Sequence, residues 1–223
     1  SGNDTVTVAA VVASGETIDL GAGNDKLVKG TGSVAASTAT VIDGGAGIDS
    51  LDAILVNVGN AGVFAGFEIL SLTTTGANLD LDLVKKSTIT TIALDGATNS
   101  TVKNVSTSQS LSVNYAAVAP TSTTLEFKNV AGKADAYTIN FNADNAANTN
   151  AGTVVVDKIE TVTVNSVGKT GVTNTITLTD DAAKSLVITG DKDLTVNFAT
   201  GFGDTANATN GLGVSTIDAS AST

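Results

Sequence analysis

Three short stretches within the first fifty residues carry the residue types best able to do chemistry: SGNDTVT at 1–7, LGAGNDKLV at 20–28 and GGAGIDSLD at 44–52. The third fits the pattern G-G-x-G-x-D-x-U-x throughout, where U is a large aliphatic residue. In the second, Leu20 stands where the first Gly would be, and the first copy keeps only Gly2, Asp4 and Val6 of the template. Glycines allow left-handed backbone angles that turn carbonyl oxygens inward, and the Asp adds a charged oxygen. The aliphatic residue two positions later anchors the following strand. The chemistry that this combination can perform is coordination of a hard cation. Calcium suits such oxygen ligands better than magnesium, which demands a stricter octahedron and keeps its waters.

The spacing says how such corners must be carried. Asp4, Asp25 and Asp49 are 21 and then 24 residues apart, whereas two tandem nonapeptides would place equivalent turns about 18 apart. Each coil is therefore enlarged, with one cation-type corner and one irregular side, and corners stack so that an ion is shared between consecutive turns. Asp19 and Asp43 each lie six residues before a motif Asp, which makes them candidate additional ligands. The competing reading is that Gly-Asn-Asp and Gly-Ile-Asp are ordinary turns that need no ion.

Other apparent sites are weaker. Gly-Ala-Gly at 21–23 and 45–47 lacks the Gly-Lys-Ser/Thr and helix of a phosphate loop, and the third glycine and helix of a dinucleotide fingerprint. The pairs Asp80/Asp82, Asp180/Asp181 and Asp191/Asp193 read as solvated surface acids and not as a glycosidase pair. Ser and Thr abundance reads as outward strand positions.

Composition bounds the function classes. The chain has 223 residues, 22 acids against 11 bases, and a formal charge of −11; every base is Lys. Without clustered Arg and Lys, nucleic acid is not an expected partner. With no His and no Cys, the common zinc, iron and copper ligands, thiol nucleophiles and the Ser-His-Asp arrangement are all missing, so an enzyme is not expected. No window approaches eighteen consecutive apolar residues, so membrane insertion is not expected and a soluble segment is. The first residues lack the sections of a signal peptide, and the sequence reads as a fragment of something longer.

From residue 69 onward, short β-branched runs recur every ~8 to 12 residues between Asn, Gly, Asp, Ser and Thr clusters. Runs such as Ile69-Leu72, Leu79-Leu83, Leu111-Tyr115, Thr161-Val164 and Leu194-Phe198 predict strands, and a loop is expected at Pro120. Helical signal is confined to Asp180–Lys184 and Ala61–Glu68. Phe67-Glu68-Ile69 and Ile159-Glu160-Thr161 share an apolar, acid, strand order that hints at repeated coils, as does the polar turn Asp191-Lys192-Asp193 feeding an alternating strand. Residues 1–56 are expected to form a cation-binding repeat segment. Residues 57–223 are expected to form a Thr/Val-rich β segment, either continuing the coil or folding as a sandwich.

The motifs of residues 1–52 resemble the repeats-in-toxin (RTX) calcium modules of proteins exported by bacterial type I secretion. The Thr/Val/Ala-rich remainder and the closing Ser215–Ser222 run resemble RTX-type S-layer proteins of Gram-negative bacteria, such as those of Caulobacter and Campylobacter. The resemblance implies an all-β, elongated, calcium-binding β-roll or β-solenoid with short strands and little helix. It implies calcium ligands at Gly2, Asn3 and Asp4; at Gly21, Gly23 and Asp25; and at Gly44, Gly45, Gly47 and Asp49. With only three spaced copies, one or two ions are expected and not a row. It further implies an extracellular location at the bacterial cell surface, self-association into a lattice, and cell-surface polysaccharide or lipopolysaccharide as a further partner. An adhesin stalk, a carbohydrate-binding module and the non-catalytic tail of a secreted enzyme are the alternatives.

Overall fold

The computed structural model describes residues 1–37, 39–73, 78–96, 99–114, 122–199, 202–203 and 216–223. The chain is an all-β parallel β-solenoid. One face is a ten-stranded sheet of Thr5–Val8, Lys26–Lys29, Ser50–Asp52, Ile69–Leu72, Thr91–Leu94, Ser110–Val113, Ala136–Phe141, Thr161–Ser166, Ser185–Gly190 and Thr216–Ser222, stacked in chain order. The return side begins as a three-stranded sheet of Thr17–Asp19, Val41–Asp43 and Phe64–Ala65. It continues as a six-stranded sheet running from Asn78–Asp80 to Asp193–Phe198. Every ladder is parallel, so each rung belongs to the next coil of the same winding.

Period-two alternation explains the core. One inward position aligns in register from Val6 through Leu27, Leu51, Leu70, Ile92, Leu111, Ile139 and Val164 to Ile188. The seven residues from Leu27 to Val164 are fully buried. At about 1.5–3 kcal/mol for each buried Leu or Ile side chain, this column alone is a major cohesive element. Leu72, Leu94, Val113 and Phe141 make a second column, and Leu79, Val102 and Leu125 a facing one. Outward positions hold Thr, Ser, Asn and Lys, and their side chains link coils: Asn114 bridges Asp95 and Asn142 at 2.8 and 2.9 Å.

The ten-stranded sheet passes without a break from Ser50–Asp52 to Ile69–Leu72, so the coil continues beyond residue 56. Both helical expectations fail. Asp180–Lys184 is irregular because the Asp180 side chain caps its own turn by accepting from the Ala182 amide, and residues 61–68 contain the strand Phe64–Ala65. The helical pieces among the described residues are 3-10 turns at Ala53–Leu55, Val58–Asn60 and Leu81–Val84, the last of which takes Leu81, Asp82 and Leu83 out of the expected Leu79–Leu83 strand. Asp80 ends that strand by capping the turn, its Oδ1 accepting from the Asp82 amide at 2.9 Å. Asp80 and Asp82 therefore do not share a strand face. No helix among the described residues is long and apolar enough to cross a membrane. The expected Pro120 loop and Tyr115 lie outside the described residues.

Candidate metal centres

The three motif turns stack on one edge of the solenoid, each just before a strand of the long sheet. Because Thr5, Lys26 and Ser50 are in register, Asp4, Asp25 and Asp49 fall on consecutive coils. The carboxylates of Asp25 and Asp49 each receive the amide of the motif Asp one coil earlier. The Asp4 N–H donates to Asp25 Oδ1 at 2.7 Å, and the Asp25 N–H donates to Asp49 Oδ1 at 2.7 Å. The Asn side chains form a parallel ladder, with Asn24 N–H donating to Asn3 Oδ1 at 2.8 Å and Ile48 N–H to Asn24 Oδ1 at 3.1 Å.

Asp25 and Asp49 are 1% and 0% exposed, while Asp4 is exposed. The second oxygen of each buried pair member, Oδ2 of Asp25 and of Asp49, has no hydrogen-bond partner. A buried carboxylate oxygen without a partner is costly, and such groups are normally neutralised by a proton, a cation or a donor. The residues present thus fit a bound cation on the evidence of these two orphaned oxygens.

The glycines supply the rest of the corner. Gly2, Gly21, Gly23, Gly45 and Gly47 all have positive φ, between 94° and 148°. Coil-to-coil approach is also tight: a β-carbon at Gly47 would lie 1.9 Å from the carbonyl oxygen of Gly23, and one at Gly45 would lie 2.0 Å from that of Gly21. Gly44 is buried, and a β-carbon there would lie 2.3 Å from the Gly66 carbonyl oxygen and 3.0 Å from Asp49 Oδ2. Both oxygens therefore border the space that a side chain at position 44 would fill. Leu20, which takes the corresponding place one coil earlier, buries its side chain at 8% exposure.

Asp19 and Asp43 are in register on neighbouring coils, as their shared offset from the motif implies. Their Oδ1 atoms accept from the amides of Gly21 and Gly45 at 2.9 and 3.1 Å, so both carboxylates shape the motif turn. The motif acids do not come together as a group of three carboxylates; that arrangement occurs, among the described residues, at a different place.

Asp157, Asp180 and Asp181 form that group, a possible acidic metal-binding cluster with one carboxylate oxygen from each lying within 4.8 Å of the others. Asp157 follows the strand Thr149–Val155 and the other two follow Thr173–Thr179, one coil later. The parallel pairing of Val155 with Thr179 sets the two turns side by side. Asp180 is fully buried, which corrects the reading of Asp180/Asp181 as a solvated pair. Its Oδ1 accepts from the Ala182 amide at 2.9 Å, and its Oδ2 has no partner. Burial pushes its carboxyl up to about 7, with the charges of Asp157 and Asp181 adding to the rise and the Ala182 and Ile159 amides opposing it. Asp157 is also raised, first by burial and then by Asp181. Sequence reading missed this site because the partners are 23 and 24 residues apart; only the Asp-Asp pair immediately after an alternating strand hinted at it.

Comparison with protein-family models and with curated proteins finds no match for the chain. The fold and these two acidic arrangements carry the functional argument.

Proposed function

We propose that this chain is a non-enzymatic, calcium-stabilised structural segment of a bacterial surface layer, folding and assembling outside the cell where the ion is plentiful. The observation that supports the reading most is the pair of buried aspartates, Asp25 and Asp49, each with one unpartnered oxygen on a glycine-built corner. Asp25, Asp49 and the turn carbonyls of Gly21, Gly23, Gly45 and Gly47 would hold the ion, with Gly44 leaving room beside Asp49. The ion supplies positive charge there. The chain's own residues do the rest: the motif amides lock each coil to the next, and Leu27 and Leu51, two residues after the aspartates, fix the corners to the aliphatic column.

A formal charge of −11 opposes closure of the acid-lined coils in the metal-free chain, and binding to the folded state alone stabilises it, by about 2.7 kcal/mol for each site held at 100 times its Kd. Val11, Ile48, Ile54 and Val58, all in the first coils, expose aliphatic side chains that contacts between copies would cover.

The test is calcium titration of the chelator-treated chain, followed by circular dichroism and light scattering, with Asp25→Ala/Asp49→Ala as control. A gain of sheet with higher-order assembly, lost in the double variant, supports the proposal. Ordering without assembly favours an adhesin stalk, a carbohydrate-binding module or the tail of a secreted enzyme. No response removes the basis of the reading.

A further inference from the structure

We propose that Asp157, Asp180 and Asp181 constitute a second calcium site, independent of the glycine motifs, that clamps two adjacent coils in the distal half of the solenoid. Two observations carry this. The first is convergence: three carboxylates from two coils place oxygens within 4.8 Å of one another, inside the ~5 Å diameter set by calcium–oxygen distances of about 2.3–2.6 Å. The second is the Asp180 Oδ2 atom, which belongs to a side chain with no solvent exposure and makes no hydrogen bond. A surface acidic cluster needs no ion, because water solvates it. A carboxylate buried beside two others is costly to leave charged, and a cation shared by the three would remove that cost while engaging the second oxygen, which has no hydrogen-bond partner.

The surroundings are those of a preformed site. The Asp181 carboxylate is fixed by the Lys158 amide, which donates to its Oδ1 at 2.8 Å; Lys158 adopts φ of +73° in that turn. The Asp180 carboxylate is fixed by the Ala182 amide through the other oxygen. Each orienting bond uses one carboxylate oxygen and comes from backbone, so the ligand geometry is set by the coil itself. Of the three, Asp157 also lines a surface groove, together with Leu125, Glu126, Phe127 and Lys158. All-oxygen, all-carboxylate ligation in a chain without His or Cys selects a hard cation over zinc or copper. The two-coil origin makes the ion a staple: removing it leaves repulsion between Asp157 and the Asp180/Asp181 pair across the coil boundary.

The test is isothermal titration of the full chain with calcium chloride after chelator treatment, in four versions: unaltered, Asp25→Asn/Asp49→Asn, Asp180→Asn and Asp181→Asn. The expected result is a calcium-binding component that survives in the Asp25/Asp49 double variant and weakens at least tenfold in Asp180→Asn and in Asp181→Asn. Asp181→Asn keeps the oxygen that accepts the Lys158 amide, so it decides the matter if Asp180→Asn does not fold by circular dichroism. Titrations of Asp180→Asn or Asp181→Asn that superimpose on the unaltered chain overturn the proposal. Equal heat and affinity with magnesium chloride overturn the assignment to calcium. Failure of the motif corners shows instead as an Asp25/Asp49 double variant that titrates like the unaltered chain, so the two readings fail separately.

Discussion

Glu68 takes, on the fourth coil, the place that the motif aspartates hold on the coils before it: its Oε2 accepts the amide of Asp49 at 2.9 Å. The same relation recurs farther along, where Glu160 Oε2 accepts the amide of Asp135 at 2.8 Å. Both glutamates immediately precede a strand of the long sheet, and both follow a buried aliphatic or aromatic residue, Phe67 or Ile159. Asp135 also carries an unpartnered, buried Oδ2, as Asp49 does. Asp25, Asp49 and Glu68 thus form a run of acidic acceptors for backbone amides on successive coils, and Glu160 repeats the arrangement farther along.

Replacing one of these acceptors should reveal its contribution. Glu160→Ala leaves the Asp135 amide without its partner in a part-buried setting and should cost about 1–3 kcal/mol. Glu160→Gln keeps an acceptor oxygen and should cost about 1 kcal/mol or less. Urea unfolding of the two variants compares them, and equal losses would show that the charge matters and the hydrogen bond does not.

The glycine corners make a second contrast. Gly15 has φ of +87° with open space around its α-carbon, so Gly15→Ala should cost only the left-handed strain, about 1–2 kcal/mol. Gly47 has φ of +148° and would drive a β-carbon to 1.9 Å from the Gly23 carbonyl, a backbone atom that cannot move aside. Gly47→Ala should therefore destabilise more than Gly15→Ala and reduce the sheet gained on adding calcium. Thermal melts with and without the ion decide this, and equal Tm values would rule out the tight stacking of the corners.

Alternation of aliphatic and hydroxyl residues made the strands at Thr161–Ser166 and Thr173–Thr179 legible, because every second residue of each is buried. The offset of Asp19 and Asp43 from the motif likewise foretold their register. Asn99–Val105 escaped because its inward positions include Ser100, and its outward ones are Asn, Thr and Lys; coil stacking against Ser122–Phe127 and not local propensity makes it a strand. The turns at 61–68 and 180–184 misled because acids and alanines near a chain reversal suit a helix start as well as a capped loop. Beyond the Asp180-Asp181 pair the Asp157 cluster was not legible, since it depends on pairing Val155 with Thr179, a relation that no local pattern encodes.

Tyr137 gives a pH dependence. Its ring is buried edge-on against Phe127 with centroids 4.7 Å apart, its hydroxyl has no partner, and burial pushes its ionisation far above the ordinary value of 10.0. Because the folded state holds the proton more tightly than the unfolded state, this stabilisation is complete below pH 10 and is lost as pH rises beyond it, by about 1.4 kcal/mol per pH unit. Tyr137→Phe should be near neutral or stabilising at pH 7 and should lose less stability than the unaltered chain between pH 10 and 11. Urea midpoints measured across that window test it, and parallel losses in both chains would place the alkaline sensitivity elsewhere.

Asp49→Asn separates the charge of the motif from its hydrogen bond. The amide oxygen can still accept from the Asp25 N–H, so the coil-to-coil link at 2.7 Å survives, while the buried charge disappears. In the presence of a chelator the variant should match or exceed the unaltered chain in stability, since an unpaired buried carboxylate has been removed. With calcium in excess the order should reverse, because the unaltered chain gains the free energy of ion binding, about 2.7 kcal/mol at 100 times the Kd, and the variant loses most of that gain. Melting curves in chelator and in millimolar calcium measure the crossing. A variant that responds to calcium as strongly as its parent would detach Asp49 from the ion and leave the motif as a turn held by hydrogen bonds alone.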